Sequence, residues 1–282
     1  MSVFFVSTNR NREIKIKVGI KIMYEQFLND VKLTREPGTY EQYYRILSLF
    51  EDKPINIDTA KEIMNMNISM NTKKQYLTTW INALHYQNIE CKDIEKFTKG
   101  IRFTEKIIQV PTKEEVEKII NSINDTKMKL VIGLMSYAGL RINEVINLLE
   151  KDVDFKKNIL IVRSTKNHTD RACPINAQLK RLFREWFSCS ERIVGEYVFC
   201  SPRGGSFSNS YFKNSIRILC NELGFKGFHC HSFRHFFATM VYKMSGNDIH
   251  LTAKACGHKS INTTMRYINS NVDDIADIVK LF

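Results

Sequence analysis

The sequence predicts a mainly α-helical chain of two domains, the second carrying one small antiparallel β-sheet. Three observations support this fold class. Apolar residues recur at helical spacing in most stretches between turn signals. The one segment rich in β-branched residues, NILIVRST at 158–165, is followed after KNHT by DRACPI at 170–175, and together these read as a hairpin. Residues 99–112, KGIRFTEKIIQVPT, hold no helical stripe and run into a proline, which marks a linker between an all-α first hundred residues and a mixed remainder.

The elements follow in order. Residues 14–22, IKIKVGIKI, alternate apolar and basic with the period of a half-exposed strand, although they could equally run on into the next helix. MYEQFLNDVKLT, 23–34, has helical spacing and is broken by REPG. Thr39 is placed to cap YEQYYRILSLF, Asp58 to cap TAKEIMNM, and Asn71 or Thr72 to open TKKQYLTTWINALHYQ. The first hundred residues therefore read as four or so helices. Beyond the linker, Thr112 with Glu115 forms a capping box for KEEVEKIINSI. MKLVIGLMSYAG is a buried helix closed by Gly139, and RINEVINLLEKDVDF starts a short one. After the hairpin, NAQLKRLFREWF and YFKNSIRILCNELG are helical, separated by the turn-rich SPRGGSFS. HSFRHFFATMVYKM is a helix that SGND closes, and DIHLTAKACG and SINTTMRYI are two shorter ones. In the terminal DDIADIVKLF, Ile275, Ile278, Val279 and Phe282 share one face.

Composition narrows the function. With 43% hydrophobic residues the chain can build real cores. It has no apolar run of membrane-spanning length, and the VFFV near its start is too short for a signal-peptide core, so a cytoplasmic protein is expected. The seven cysteines (Cys91, Cys173, Cys189, Cys200, Cys220, Cys230 and Cys256) are odd in number and lack CxxC spacing. That argues against a disulfide framework and a zinc ribbon and favours small buried apolar residues. Against 30 acidic residues stand 42 basic ones, a net charge of +12 shared by both parts of the chain. An excess of this kind suits a polyanion partner, most often nucleic acid.

Polar residues embedded in apolar helices concentrate in the second part. His231, Arg234 and His235 lie at offsets that place all three on one helix face. Taken alone, that face suits a metal site, a polar patch in a core or an anion pocket. Arg141 follows AGL at a helix start, Lys166 sits at the hairpin tip, His258 follows CG at a helix end, and Tyr267 comes nine residues later. Singly, each has a bland reading: a surface cap, a solvated lysine, a satisfied core histidine, a core tyrosine.

Their joint order changes this. AGLRINE, a hairpin lysine, HSFRH, CGH and a tyrosine shortly after resemble the signature of the tyrosine recombinases, the phage integrase family, over about 130–270. The departures are Phe233 where leucine is commoner and Cys256 before GH, and neither removes a functional group. Lys156, Lys157 and Arg163 lie close enough to compete for the lysine position. The resemblance implies a two-domain architecture, with a helical core-binding, DNA-binding domain over 1–105 and an α+β catalytic domain with a C-terminal tail over 106–282. It implies a site-specific recombinase acting through a 3′-phosphotyrosyl intermediate without metal, cofactor or ATP.

In that reading Tyr267 attacks phosphorus, and Arg141 and Arg234 fork the non-bridging oxygens. His231 accepts the phenol proton or binds a phosphate oxygen, His258 donates to a non-bridging oxygen, and Lys166 protonates the leaving 5′-oxygen. Glu144 orients the basic cluster and His235 buttresses the helix. Arginines beside His231 would repel a metal, so the HSFRH face becomes an anion pocket. Double-stranded DNA is the implied partner, gripped electrostatically by two basic lobes in a clamp, with Lys73 and Lys74 as candidate contacts. Recombination implies four protomers around two duplexes, and the terminal apolar stripe is a candidate for docking on a neighbour. The first twenty residues are too few for a separate arm-binding domain, so a simpler recombinase is expected. Two alternatives share some of these features: a type IB topoisomerase that relaxes DNA, and a DNA-binding protein without catalysis.

Overall fold

The computed structural model describes residues 24–50, 53, 55–101, 109–163, 170–258 and 260–268, with side chains as far as 265. The chain divides into two compact units, Met1–Glu105 and Lys106–Phe282. The expected strand at 14–22 and the terminal stripe at 273–282 lie outside the described residues.

The first unit is all helix among its described residues: α1 (24–34), α2 (Pro37–Ser48), α3 (Ile57–Asn65), α4 (Met70–Tyr86) and α5 (Lys92–Gly100). Three starts differ from expectation. Pro37 stands at the first turn of α2, where its missing N–H costs nothing, so the proline in REPG opens this helix rather than only breaking the one before it. Asn56, not Asp58, caps α3; its backbone is extended and its side chain accepts from Thr59 N at 2.9 Å. Ser69 caps α4 through a bond from Thr72 N at 3.1 Å. Helix α5 runs to Gly100, two residues into the segment read as linker. The core forms around α4: Leu77 and Trp80 are fully buried with Ile46 and Ile63, and the Phe50 ring meets Trp80 edge-on at 4.9 Å.

The second unit opens with α6 (Lys113–Ser122), held by the expected capping box between Thr112 and Glu115. Helix α7 (Thr126–Tyr137) is apolar on every side, with Leu130, Val131, Ile132, Leu134 and Met135 all fully buried. A helix of that kind belongs at the centre of a core. It packs on α9 (Ala177–Phe187) and α11 (Cys230–Met244). Gly133 allows the approach of α9, since a Cβ there would stand 2.4 Å from Leu182 Cδ1. Helices α8 (Ile142–Ile146), α10 (Asn209–Glu222), α12 (Ile249–Cys256) and α13 (Ile261–Ile268) complete the helical layer.

The expected hairpin gains a third strand. β1 (Val153–Asp154), β2 (Ile159–Val162) and β3 (Arg171–Pro174) pair antiparallel in that order. The β2–β3 register sets Leu160 against Cys173 and Val162 against Arg171, so these four share one face. Leu160, Val162 and Cys173 are buried there. Short β1 comes from the end of RINEVINLLEKDVDF, too brief a segment to show an alternating pattern. All seven cysteines are free, six of them buried.

At Gly139 the chain leaves α7 in a left-handed turn, φ +64°, and a Cβ would stand 2.2 Å from the Phe237 ring. Gly139→Ala should therefore destabilise the second unit by at least about 1–2 kcal/mol for the backbone conformation alone. Urea unfolding followed by tryptophan fluorescence should show the earlier midpoint.

Candidate active site

The site is assembled from helix ends. Gly139 turns the chain so that Arg141 becomes the N-cap of α8, and Glu144, in the first turn, reaches back to accept from Arg141 N at 2.8 Å. The same carboxylate accepts from Arg141 Nη1 at 2.8 Å. From β3, Arg171 adds a bidentate fork, Nη1 to Oε1 at 2.9 Å and Nη2 to Oε2 at 2.8 Å. Arg234 Nη1, from α11, lies 3.8 Å from Glu144 Oε2. One carboxylate thus gathers three guanidinium groups.

Backbone carbonyls hold the same cations from the other side. Arg234 donates to Gly139 O and Cys256 O, and Arg141 Nη2 donates to Gly257 O at 3.0 Å. Arg234 is 1% exposed and forms the floor of the cluster. Arg141 keeps 36% of its side chain open, so it is the guanidinium presented outward. Gly257 closes α12 at φ +63°, and its bare Cα leaves the space that Arg171 occupies: a Cβ would stand 3.0 Å from Arg171 Nη1.

Three imidazoles complete the cluster. His231 opens outward in the first turn of α11, its ring 6.3 Å from that of His229. The His229 backbone N–H donates to Ser232 Oγ, which also bonds the His229 ring, and this fixes the start of the helix. His235 is buried one turn further on. His258 follows Gly257 and shares a 2.9 Å hydrogen bond between Nδ1 and Thr264 Oγ1, which ties α13 to the site.

Electrostatics separate the groups sharply. Burial would raise the Glu144 pKa, but the Arg171 fork and the Arg141 N–H and guanidinium outweigh it and hold the pKa at about 2. All three histidines shift down, first by burial: His258 to about 4, with Arg234 and Arg141 adding to it, and His235 to about 3 and His231 downward as well, with neighbouring histidines and then Arg234 adding. They are neutral at pH 7, able to accept a proton or to donate through one ring nitrogen.

The structure brings together Arg141, Glu144, His231, Arg234, His235 and His258. Tyr267 lies in α13, which packs on α11 and α12 one turn beyond Thr264. Lys166 falls outside the described residues. Lys73 and Lys74 belong to α4 in the other unit; Lys73 Nζ donates to Met64 O at 2.6 Å, closing the α3–α4 turn, and Lys74 is exposed. Sequence reasoning missed Arg171 and Thr264. The signal for Arg171 was a strand position sharing a face with Cys173, where an arginine needs a buried anion.

Fold and site together define an α+β domain built around a cationic, imidazole-lined cluster. Residues 109–273, more than half of the chain, match the phage integrase family, and the chain belongs to that family. It is 33% identical over 161 residues to the tyrosine recombinase XerA of Saccharolobus solfataricus, covering 57% of this chain and 52% of that protein. To XerA of Pyrococcus horikoshii it is 31% identical over 173 residues, 60% of this chain and 59% of the relative. The chain thus spans a little over half the length of these relatives. In fold it is similar to the Tn1549 transposon integrase solved with circular intermediate DNA: TM-score 0.72, 17% identity, covering 93% of this chain and 99% of that one. A lambda integrase dimer bound to a core site gives a TM-score of 0.70 at 16% identity, over 90% and 96% of the two chains.

The pKa shifts fix how stability follows pH. Glu144 is depressed in the folded chain, so its contribution is full above the ordinary carboxylate range and fades as pH falls towards about 2. That contribution is about 3 kcal/mol. The histidines, also depressed, favour folding above about 6.5 and withdraw that support as pH falls towards about 4 for His258 and about 3 for His235. Urea midpoints should fall steadily from pH 7 to pH 4. Arg171→Gln, which strips the fork from Glu144, should lower the pH 7 midpoint more than Arg171→Lys, and the gap should shrink towards pH 3.

Proposed function

We propose that this chain is a site-specific DNA recombinase, cutting and rejoining DNA through a 3′-phosphotyrosyl intermediate. One observation carries the reading: guanidinium groups from α8, β3 and α11 converge on a single carboxylate, with neutral imidazoles from α11 and the α12–α13 turn beside them, next to the helix that carries Tyr267. Three guanidinium groups face one carboxylate, so the cluster keeps two positive charges for an anion.

In this reading Tyr267 Oη attacks phosphorus and expels the 5′-oxygen. A phenol, with a pKa near 10, is a weak nucleophile until activated and a good leaving group on reversal. The phosphotyrosyl ester keeps the bond energy, and rejoining then needs no ATP. Arg141 donates to a non-bridging oxygen, and Arg234 supplies fixed positive charge from below. His231, neutral and open to solvent, accepts the phenol proton. His258 donates to a second non-bridging oxygen, Lys166 protonates the departing 5′-oxygen, and His235 packs beneath. Glu144 positions the arginines. The mechanism uses no metal ion and no cofactor.

Duplex DNA is the substrate, with the first unit as a second DNA-binding lobe in which Lys74 and the α4 start contact the backbone. Self-association on DNA into a tetrameric synapse brings two duplexes together, and the protein works in the cytoplasm. Names among the relatives and structural neighbours support recombination on DNA: tyrosine recombinases, and integrases solved on DNA.

A nicked suicide duplex built from the DNA flanking the coding gene should trap a covalent adduct in EDTA. Tyr267→Phe should bind that duplex and form no adduct; an adduct in the variant would sink the assignment. Arg141→Ala should slow cleavage by about 10²–10³-fold with little change in binding. Relaxation of supercoils without joining of two sites would instead favour a type IB topoisomerase.

A further inference from the structure

A second cluster of ligand-type side chains lies in the first unit, apart from the residues above. His85 closes α4, and a tight turn through Asn88, φ +55°, brings the chain back so that Cys91 opens α5 with Glu95 one turn further on. His85 Nε2, Cys91 Sγ and a Glu95 carboxylate oxygen all lie within 4.8 Å of one another. Among the described residues this is the one group of three such donors so placed.

We propose that His85, Cys91 and Glu95 form a binding site for a divalent transition-metal ion, zinc foremost, that clamps α4 to α5. The donor set argues for the ion class. One imidazole, one thiolate and one carboxylate suit a borderline-soft cation, whereas calcium and magnesium take oxygen ligands. Three protein donors leave a fourth, outward position for water, and the exposure of His85 gives an entry path: its side chain is 55% exposed, Glu95 28%, while Cys91 is buried.

Two of the three donor separations lie within about 0.7 Å of what tetrahedral zinc needs, and the third is at most 4.8 Å. Bond lengths of about 2.0–2.3 Å put neighbouring ligand atoms about 3.3–3.7 Å apart. Cys91 Sγ and Glu95 Oε1 already stand at 3.7 Å, and His85 Nε2 and Glu95 Oε1, at 2.6 Å, would part by roughly 0.7 Å. Without a cation the three donors serve one another: the Cys91 thiol donates to Glu95 Oε1, and the His85 ring shares the same oxygen. A carboxylate oxygen contacted by both a ring nitrogen and a thiol is the point where an ion would enter. On coordination the thiol proton leaves to solvent and the sulfur binds as thiolate.

The test uses the full chain and cobalt(II) alone as a spectroscopic probe for zinc. One equivalent should produce the visible bands of tetrahedral cobalt together with a thiolate-to-cobalt charge-transfer band, and one equivalent of zinc should abolish both. Cys91→Ser should lose the charge-transfer band, and His85→Ala should bind no cobalt at one equivalent. Equimolar zinc should also raise the wild-type thermal midpoint, and EDTA should reverse the rise, which reads the site even if a variant folds poorly. No cobalt spectrum, no shift with zinc, or a charge-transfer band that survives in folded Cys91→Ser would overturn the proposal. DNA cleavage by Tyr267 in EDTA is independent of these outcomes.

Discussion

The second unit depends on the buried carboxylate of Glu144. Three guanidinium groups drawn to one spot repel one another, each pair by about 4 kcal/mol at 4 Å in a medium of intermediate dielectric. Glu144 makes that approach possible. It accepts from Arg141 and Arg171 through both oxygens and lies within reach of Arg234, so elements far apart in sequence share one anion. The carboxylate in turn tolerates burial only because those donors surround it.

The imidazoles follow from this. Burial, reinforced by the neighbouring groups, makes a further positive charge expensive, so His231, His235 and His258 stay neutral. Neutral rings are what a reaction with an incoming phenol needs, since an imidazolium cannot accept its proton. Arginine keeps its charge in the same surroundings, because its intrinsic pKa lies far above any shift available here. Burial and charge together therefore sort the residues into permanent cations and neutral imidazoles.

Much of this was legible in the sequence, and what was missed has two causes. Helices with an apolar stripe and the β-branched hairpin are local patterns, readable from spacing. Arg141, His231 and His258 were readable because each stands at or beside a helix start or end. The caps of α2, α3 and α4 were misplaced by two or three residues, since several Asn, Asp, Ser and Thr compete at each start and backbone conformation decides among them. Arg171 was invisible for a different reason. Its partner Glu144 stands 27 positions earlier, and only the β2–β3 register turns Arg171 inward beside Val162. Thr264 joins His258 only once α13 packs against α12. Contacts of this kind belong to tertiary structure.

The positions of the arginines have a further cause in the helices themselves. Helices α7 and α12 both end in left-handed glycines, Gly139 and Gly257, and both leave carbonyls without helical partners. Carbonyls at or just past these two helix ends are what Arg234 and Arg141 bond: Gly139 O, Cys256 O and Gly257 O. Partial charges of that size orient a guanidinium without neutralising it. Had two more carboxylates done the same work, the cluster would carry no net charge and offer nothing to an anion. Backbone carbonyls fix the cations in place and leave their charge available, so a phosphate would meet donors already oriented, with little reorganisation left to perform during the reaction.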